Sequence, residues 1–223
     1  MLNDKKKSNG VSKEISLLRK FEYEKIAELK IDGKILDLGG DKRSGYHELI
    51  KGDHKIEVVN LNPNCGADLC FDLEKKFPLD NDSYDAVLCV NVLEHIFNYQ
   101  NVLSESFRVL KSGGMLAGVV PFLFNVHGSP RDYFRYTGVA LEKMFSEAGF
   151  RDIKVEELGT GVFSVLFQLK YGFYRFNFLR NLAMKFHMML DKVLIQKILK
   201  SLKSDNHLSE KHLPLGYFFV AKK

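Results

Sequence analysis

Short apolar runs and amphipathic stretches alternate along this chain, and their periods predict its elements. Residues 12–30 carry Ile15, Leu18, Phe21, Tyr23, Ile26 and Leu29 near helical spacing, which predicts a first helix. Asp32-Gly33 turns the chain into a strand, Lys34–Leu38, and Gly39-Gly40 breaks it. Tyr46–Lys51 reads as the helix that follows. Ile56–Val59 and Ala67–Phe71 read as two short strands on either side of the polar stretch Asn60–Gly66. Tyr84–Val90 is almost continuously apolar, as a central parallel strand buried on both faces must be. Val102–Leu110 places Leu103, Phe107 and Leu110 on one helical face; Gly113-Gly114 end it, and Met115–Val120 is the next strand. Thr137 caps a helix over residues 137–148, closed by Ala148-Gly149-Phe150. Ile153–Leu158 and Gly216–Ala221 return to strand chemistry.

Strands alternating with helices imply a parallel sheet covered on both faces, an α/β fold. Residues 161–203 break the alternation. Phe173, Phe176, Leu179, Leu182, Phe186, Met189 and Val193 recur every three or four residues there, an apolar stripe expected to pack on the domain. Ligands of open α/β sheets sit beyond the carboxyl ends of the strands. A helical insertion over about 161–214 is therefore expected to act as a lid. Residues 1–10 read as a flexible tail and 11–223 as one domain.

Composition narrows the class. At 45% hydrophobic and 27% charged residues the chain has the balance of an ordinary globular protein. No apolar run approaches the roughly 18 residues a membrane span needs, and no apolar signal region follows the Lys-rich start, so a cytoplasmic location is expected. Cys65, Cys70 and Cys89 form neither a disulfide framework nor a zinc-ligand spacing; they read as reduced structural thiols, and no metal is expected. The net charge of +5 is unevenly placed: residues 170–203 hold eight bases against one acid, Asp191, while the rest of the chain nets −2. Such a segment suits an anionic partner, whether a phosphorylated acceptor or a membrane surface touched through 170–203. With no RNA-binding module in view, nucleic acid is not an expected partner.

The chemistry gathers at strand ends. Asp37-Leu38-Gly39-Gly40 ends the first strand; Asn91-Val92-Leu93-Glu94-His95 follows the strand at 84–90. After Pro121-Phe122 come His127, Asp132, Tyr133, Arg135 and Thr137, more polar chemistry than a core needs. This order resembles the class I S-adenosylmethionine-dependent methyltransferases, and the Pro-Phe…His…Pro-x-Asp-Tyr-x-Arg-x-Thr stretch resembles their type 11 branch. The resemblance covers about residues 12–158 and 215–221. It implies a Rossmann-like sheet of seven strands, six parallel and a last antiparallel one, with helices on both faces.

The resemblance also implies S-adenosyl-L-methionine as cofactor and a set of contacts. Asp37 would meet the donor's ammonium, with Gly39 and Gly40 allowing close approach. Asn60 and Leu61 would stand at the ribose, although the family usually has an acid at the position of Asn60. Asp72 and Leu73 would hold the adenine, and Asn91 would face the methyl-donor pocket. An Asp at position 60 would accept from both ribose hydroxyls, so Asn60→Asp is expected to strengthen donor binding. His127 is the best general-base candidate. Asp132 and Arg135 either orient it, bind substrate, or pair to pin the loop. His95 reads as a loop-ordering residue. The acceptor would be small and anionic, phosphorylated or sugar-containing, as in surface-polysaccharide synthesis. Alternatives are a catalytically inactive nucleotide-binding module and a lipid or RNA methyltransferase. A nicotinamide oxidoreductase is disfavoured because the first loop lacks Gly-x-Gly-x-x-Gly.

Overall fold

The computed structural model describes residues 16–43, 45–62, 66–128, 131–173, 176–194 and 211–223. The proposed tail at 1–10, Cys65, Arg175 and the bases at 197, 200 and 203 lie outside the described residues. Six strands form one sheet: β1 (Gly33–Leu38), β2 (His54–Val59), β3 (Tyr84–Val90), β4 (Leu110–Pro121), β5 (Arg151–Leu158) and β6 (Gly216–Lys222). Their spatial order is β2-β1-β3-β4-β6-β5. β1, β2, β3 and β4 pair in parallel, and β6 runs antiparallel to both β4 and β5.

Alternation along the strands sorts side chains onto two faces. Leu36, Leu38, Val87, Cys89, Leu116 and Phe219 point into one core, with Val102 and Leu103 of α2 (Tyr99–Val109) and Leu141 and Phe145 of α3 (Gly138–Glu147). Ile35, Ala86, Leu88, Ala117, Val119 and Phe218 point into the other, with Leu17, Leu18 and Ile26 of α1 (Leu17–Ile26) and Val165 and Phe167 of α4 (Val162–Leu169). Both faces are thus covered, which is why β3 reads as an almost continuous apolar run, broken only by Asp85. Side chains set the helix starts. Ser16 Oγ accepts from Arg19 N at 3.2 Å, and Thr137 Oγ1 accepts from Ala140 N at 3.2 Å.

Four expectations change. The helix placed at 46–51 is only a 3-10 turn, His47–Leu49, because Tyr46 and His47 turn inward to a buried carboxylate of β1. The strand placed at 67–71 shrinks to one parallel bridge, Val59 to Leu69. There the Asp68 side chain takes the N–H of Val58 at 2.9 Å, so six strands rather than seven are formed among the described residues. Gly113-Gly114 lie inside β4, whose pairing with β3 shifts register across them. Finally, the apolar stripe of α5 (Asn177–Leu190) does not pack on the sheet: no residue of this helix is fully buried.

α5 is instead fixed from its end. Asp191 is fully buried and carries the start of α4. It accepts from the N–H groups of Phe163 and Ser164, both at 2.9 Å, and from the hydroxyls of Thr160 at 2.9 Å and Ser164 at 2.6 Å. Charged hydrogen bonds to orphan helix N–H groups are the strong kind. Asp191→Ala should therefore lower stability by about 1–3 kcal/mol, read by urea denaturation. An unchanged midpoint would show that water replaces the carboxylate.

Candidate functional site

The carboxyl ends of β1, β2 and β3 open onto a cavity of about 750 Å³. Its wall includes Gly39, Asn60, Leu61, Asp72, Leu73 and Asn91, so six of the eight residues expected at a cofactor share one surface. Asp37 and Gly40 are absent from that wall. Asp37 is completely buried, and its Oδ2 accepts from Tyr46 Oη at 2.5 Å and stands 2.6 Å from His47 Nε2. Burial pushes its carboxyl pKa up, partly offset by His47 and Tyr46. The acid expected to meet an ammonium directly instead holds the turn from behind. A Cβ at Gly40 would lie 1.9 Å from Asp37 Oδ2, so the second glycine exists to fit over that carboxylate. Gly39 has φ +66°, a left-handed value, and a Cβ there would meet Val92 at 2.7 Å.

Asn60 is held by the same turn. Its Nδ2 donates to the carbonyls of Gly39 and Gly40 at 3.2 and 2.9 Å, and its Oδ1 accepts from Asn62 N at 2.9 Å. Both ends of the amide are in use. A carboxylate has no N–H to give those carbonyls, so the expected benefit of Asn60→Asp is reversed. At the far side of this end, Asp72 Oδ1 accepts from Glu74 N at 3.0 Å and Leu73 is buried, while Leu61 is exposed.

At the other end stand Asn91, Val92, His95, Ile96, Arg131 and Tyr133. Asn91 adopts φ +53°, and its Nδ2 donates to Glu22 Oε1 of α1 at 3.0 Å. Glu22 is buried, and desolvation raises its pKa against the pull of Arg19. Sequence reasoning passed over Glu22, yet it sits between Leu18 and Ile26 on the buried side of α1, where an acid needs a reason. Glu94 is a second buried acid; neither carboxyl oxygen has a hydrogen-bond partner. Desolvation pushes it up to about 8, and the nearby Glu22 adds to the rise.

His127, Asp132 and Arg135 do come together, but one layer behind the wall. Asp132 takes two bonds from Arg135, at 2.5 and 2.6 Å, and one from His127 N at 2.9 Å. Arg135 holds the Asp132 carboxyl down to about 2. The pair pins the loop, the structural alternative named for it. The His127 ring lies edge-on to His95 at 5.0 Å, and the His95 Nδ1 stands 2.5 Å from the carbonyl of Arg131. His95 thus orders the loop. Arg131 and Tyr133, which had no assigned role, face the cavity instead. Glu94, His95 and His127 offer ligand atoms within 4.8 Å of one another, a spacing one cation could bridge. The Arg135 charge already acts on Glu94. None of α4 or α5 reaches the wall, so the insertion is not a lid in the described residues. Cys89 is buried in the sheet and Cys70 exposed.

Residues 48–118 match the model of a methyltransferase domain family, type 11. An uncharacterized protein of Methanocaldococcus jannaschii is 33% identical over 119 residues, 49% of this chain and 48% of its own. The chain thus spans about half the length of that curated relative. Among solved structures, phosphoethanolamine N-methyltransferase 2 of Haemonchus contortus, in complex with S-adenosyl-L-methionine, superposes with a TM-score of 0.55 at 19% identity, over 91% of this chain and 51% of that one. A SAM-dependent methyltransferase from Archaeoglobus fulgidus gives 0.53 at 16%, over 93% and 91%. The chain shares the Rossmann-like fold of these solved methyltransferases, and its residues 48–118 are similar to the methyltransferase-domain family.

Two outcomes follow from this geometry. Asn60→Asp should weaken donor binding about tenfold, since two loop carbonyls lose charge-free donors and face a carboxylate; calorimetry with S-adenosylhomocysteine reads it, and tighter binding would restore the ribose role. Glu94 keeps its proton in the folded chain up to about pH 8, whereas its ordinary value is 4.5. Its contribution to stability is complete below the lower value and is lost as pH rises through the upper one. Glu94→Gln keeps the neutral shape, so its stability should fall less than that of the unmodified chain between about pH 5 and pH 8. Parallel denaturation curves at both pH values would refute the shift.

Proposed function

We propose that this chain is an S-adenosylmethionine-dependent methyltransferase acting on a small anionic acceptor. The observation that carries the reading is the cavity at the ends of β1, β2 and β3, where Gly39, Asn60, Asp72 and Asn91 meet in one wall. The donor would lie with its adenosine along Asn60, Leu61, Asp72 and Leu73 and its sulfonium end toward Asn91. The acceptor would enter beside Arg131 and Tyr133, where Arg131 Nη1 stands 3.2 Å from Tyr133 Oη. Arg131 is the exposed base that an acceptor phosphate or carboxylate would meet first. Methyl transfer moves a carbon from sulfur to the acceptor in line, and the acceptor's proton leaves if it carries one. Catalysis is then chiefly positioning.

His127, beside His95, is the group assigned to orient the acceptor or take its proton, while Asp132 holds the loop through Arg135 and the His127 N–H. The acceptor class favoured is phosphorylated or sugar-containing, and the name of the Haemonchus contortus enzyme likewise carries a small phosphate ester, phosphoethanolamine.

Calorimetry with S-adenosylmethionine tests donor binding directly, and absence of binding would leave a fold without the cofactor. Given an acceptor, His127→Ala should lower kcat by roughly 10²-fold with donor affinity unchanged. A normal rate would assign this histidine to loop structure. Arg131→Gln should raise the acceptor KM and spare donor affinity; an unmoved KM would place the anion elsewhere.

A further inference from the structure

α5 presents its apolar side to solvent. Leu182, Phe186 and Met189 are each about half exposed, Phe178 is 76% exposed, and Phe173 in the preceding turn is 87% exposed. Positions 178, 182, 186 and 189 fall on one side of a helix with a 3.6-residue turn. The opposite side, with Ala183, Met184 and Met188, packs against the core. The helix is therefore apolar on both sides, one turned to the core and one to solvent. Soluble surfaces rarely gather so many large apolar groups without a partner.

Charge says what kind of partner. Lys185 is exposed on the same side, Lys192 is exposed just past the end of α5, and Lys170 is exposed just before the turn. The one acid in the segment, Asp191, is wholly buried and spent on the start of α4. Among the described residues the face thus carries cations and large apolar side chains with no exposed carboxylate among them. Two copies of this patch facing each other would oppose lysine to lysine with nothing to offset them. A bilayer surface with anionic headgroups satisfies both halves of the pattern: phosphates for the lysines, acyl chains for the phenylalanines. No helix among the described residues is long and apolar enough to cross a membrane, so the contact would lie in the interface.

We propose that the outward face of α5, with Phe173 ahead of it, docks the protein on an anionic lipid surface. Phe173, Phe178, Leu182 and Phe186 enter the headgroup–acyl boundary, and Lys185 and Lys192 meet lipid phosphates. This surface is separate from the cavity wall, so it stands or falls independently of methyl transfer.

The test is co-sedimentation of the full chain with vesicles of phosphatidylcholine mixed with phosphatidylglycerol, against phosphatidylcholine alone. Binding should be strong to the anionic vesicles and weak to the neutral ones. Phe178→Ser with Leu182→Ser should lower the bound fraction about tenfold. Lys185→Glu with Lys192→Glu should remove the preference for anionic lipid. All four positions are exposed, so circular dichroism and S-adenosylhomocysteine calorimetry should match the unmodified chain. No vesicle binding would overturn the proposal. So would vesicle binding that neither pair of substitutions alters. A dimer in solution that the serine pair dissociates, with no lipid binding, would replace it with a self-association surface.

Discussion

A carboxylate sealed from water sets the site. Asp37 ends β1 inside the protein, and a buried acid costs stability unless donors reach it. Tyr46 and His47 supply them, which forces the chain to turn back as soon as it leaves Gly40. That return leaves room over the carboxylate for a glycine alone, and it turns the carbonyls of Gly39 and Gly40 toward Asn60. One end of the cavity is thus a chain of dependencies: acid, two donors, two glycines, one amide. Changing any member changes the shape presented to a ligand.

The other end is built on two further buried acids. Glu22 reaches Asn91 from α1, and Glu94, whose Oε1 stands 3.7 Å from His95 Nε2 without a hydrogen bond, lies beneath the loop carrying Arg131 and Tyr133. The backbone of that loop is tied to Glu94 as well, through Tyr133 N to its carbonyl at 2.7 Å. With Asp132 and Arg135 closing the loop on itself, the polar residues of this stretch divide into supports and a pair facing the cavity, Arg131 and Tyr133, which had no role assigned from sequence. The Asp132–Arg135 pair and the Tyr133 N–H are partnered in this conformation, which favours it over alternatives that leave them unmet.

Much of this was legible before any coordinates. β3 falls where the continuous apolar run put it, and Thr137 caps the helix it was expected to cap. The expected wall residues Gly39, Asn60, Asp72 and Asn91 share one cavity because strand ends in a parallel sheet point the same way. What failed did so for tertiary reasons. Periodicity marks an apolar face but not whether anything covers it, so the stripe of α5 was assigned to the wrong surroundings. The helix at 46–51 lost to a buried carboxylate that local pattern cannot show. Depth was also invisible: Asp132 and Arg135 share a motif with Arg131 and Tyr133, yet they lie in different layers.

The join between β5 and β6 has a structural consequence for the inserted segment. Leu158 and Gly216 are register partners, and Leu215 N donates to the carbonyl of Leu158 at 2.7 Å. Everything between leaves and re-enters the sheet at adjacent residues, as an oversized hairpin loop does. Loop-closure entropy grows only slowly with length, so the stretch that follows Asp191 can lengthen or shorten without disturbing the register of either strand, whereas α4 is held by Val165 and Phe167 in the core. The sheet and the outer part of the inserted segment are thereby free to diverge at different rates.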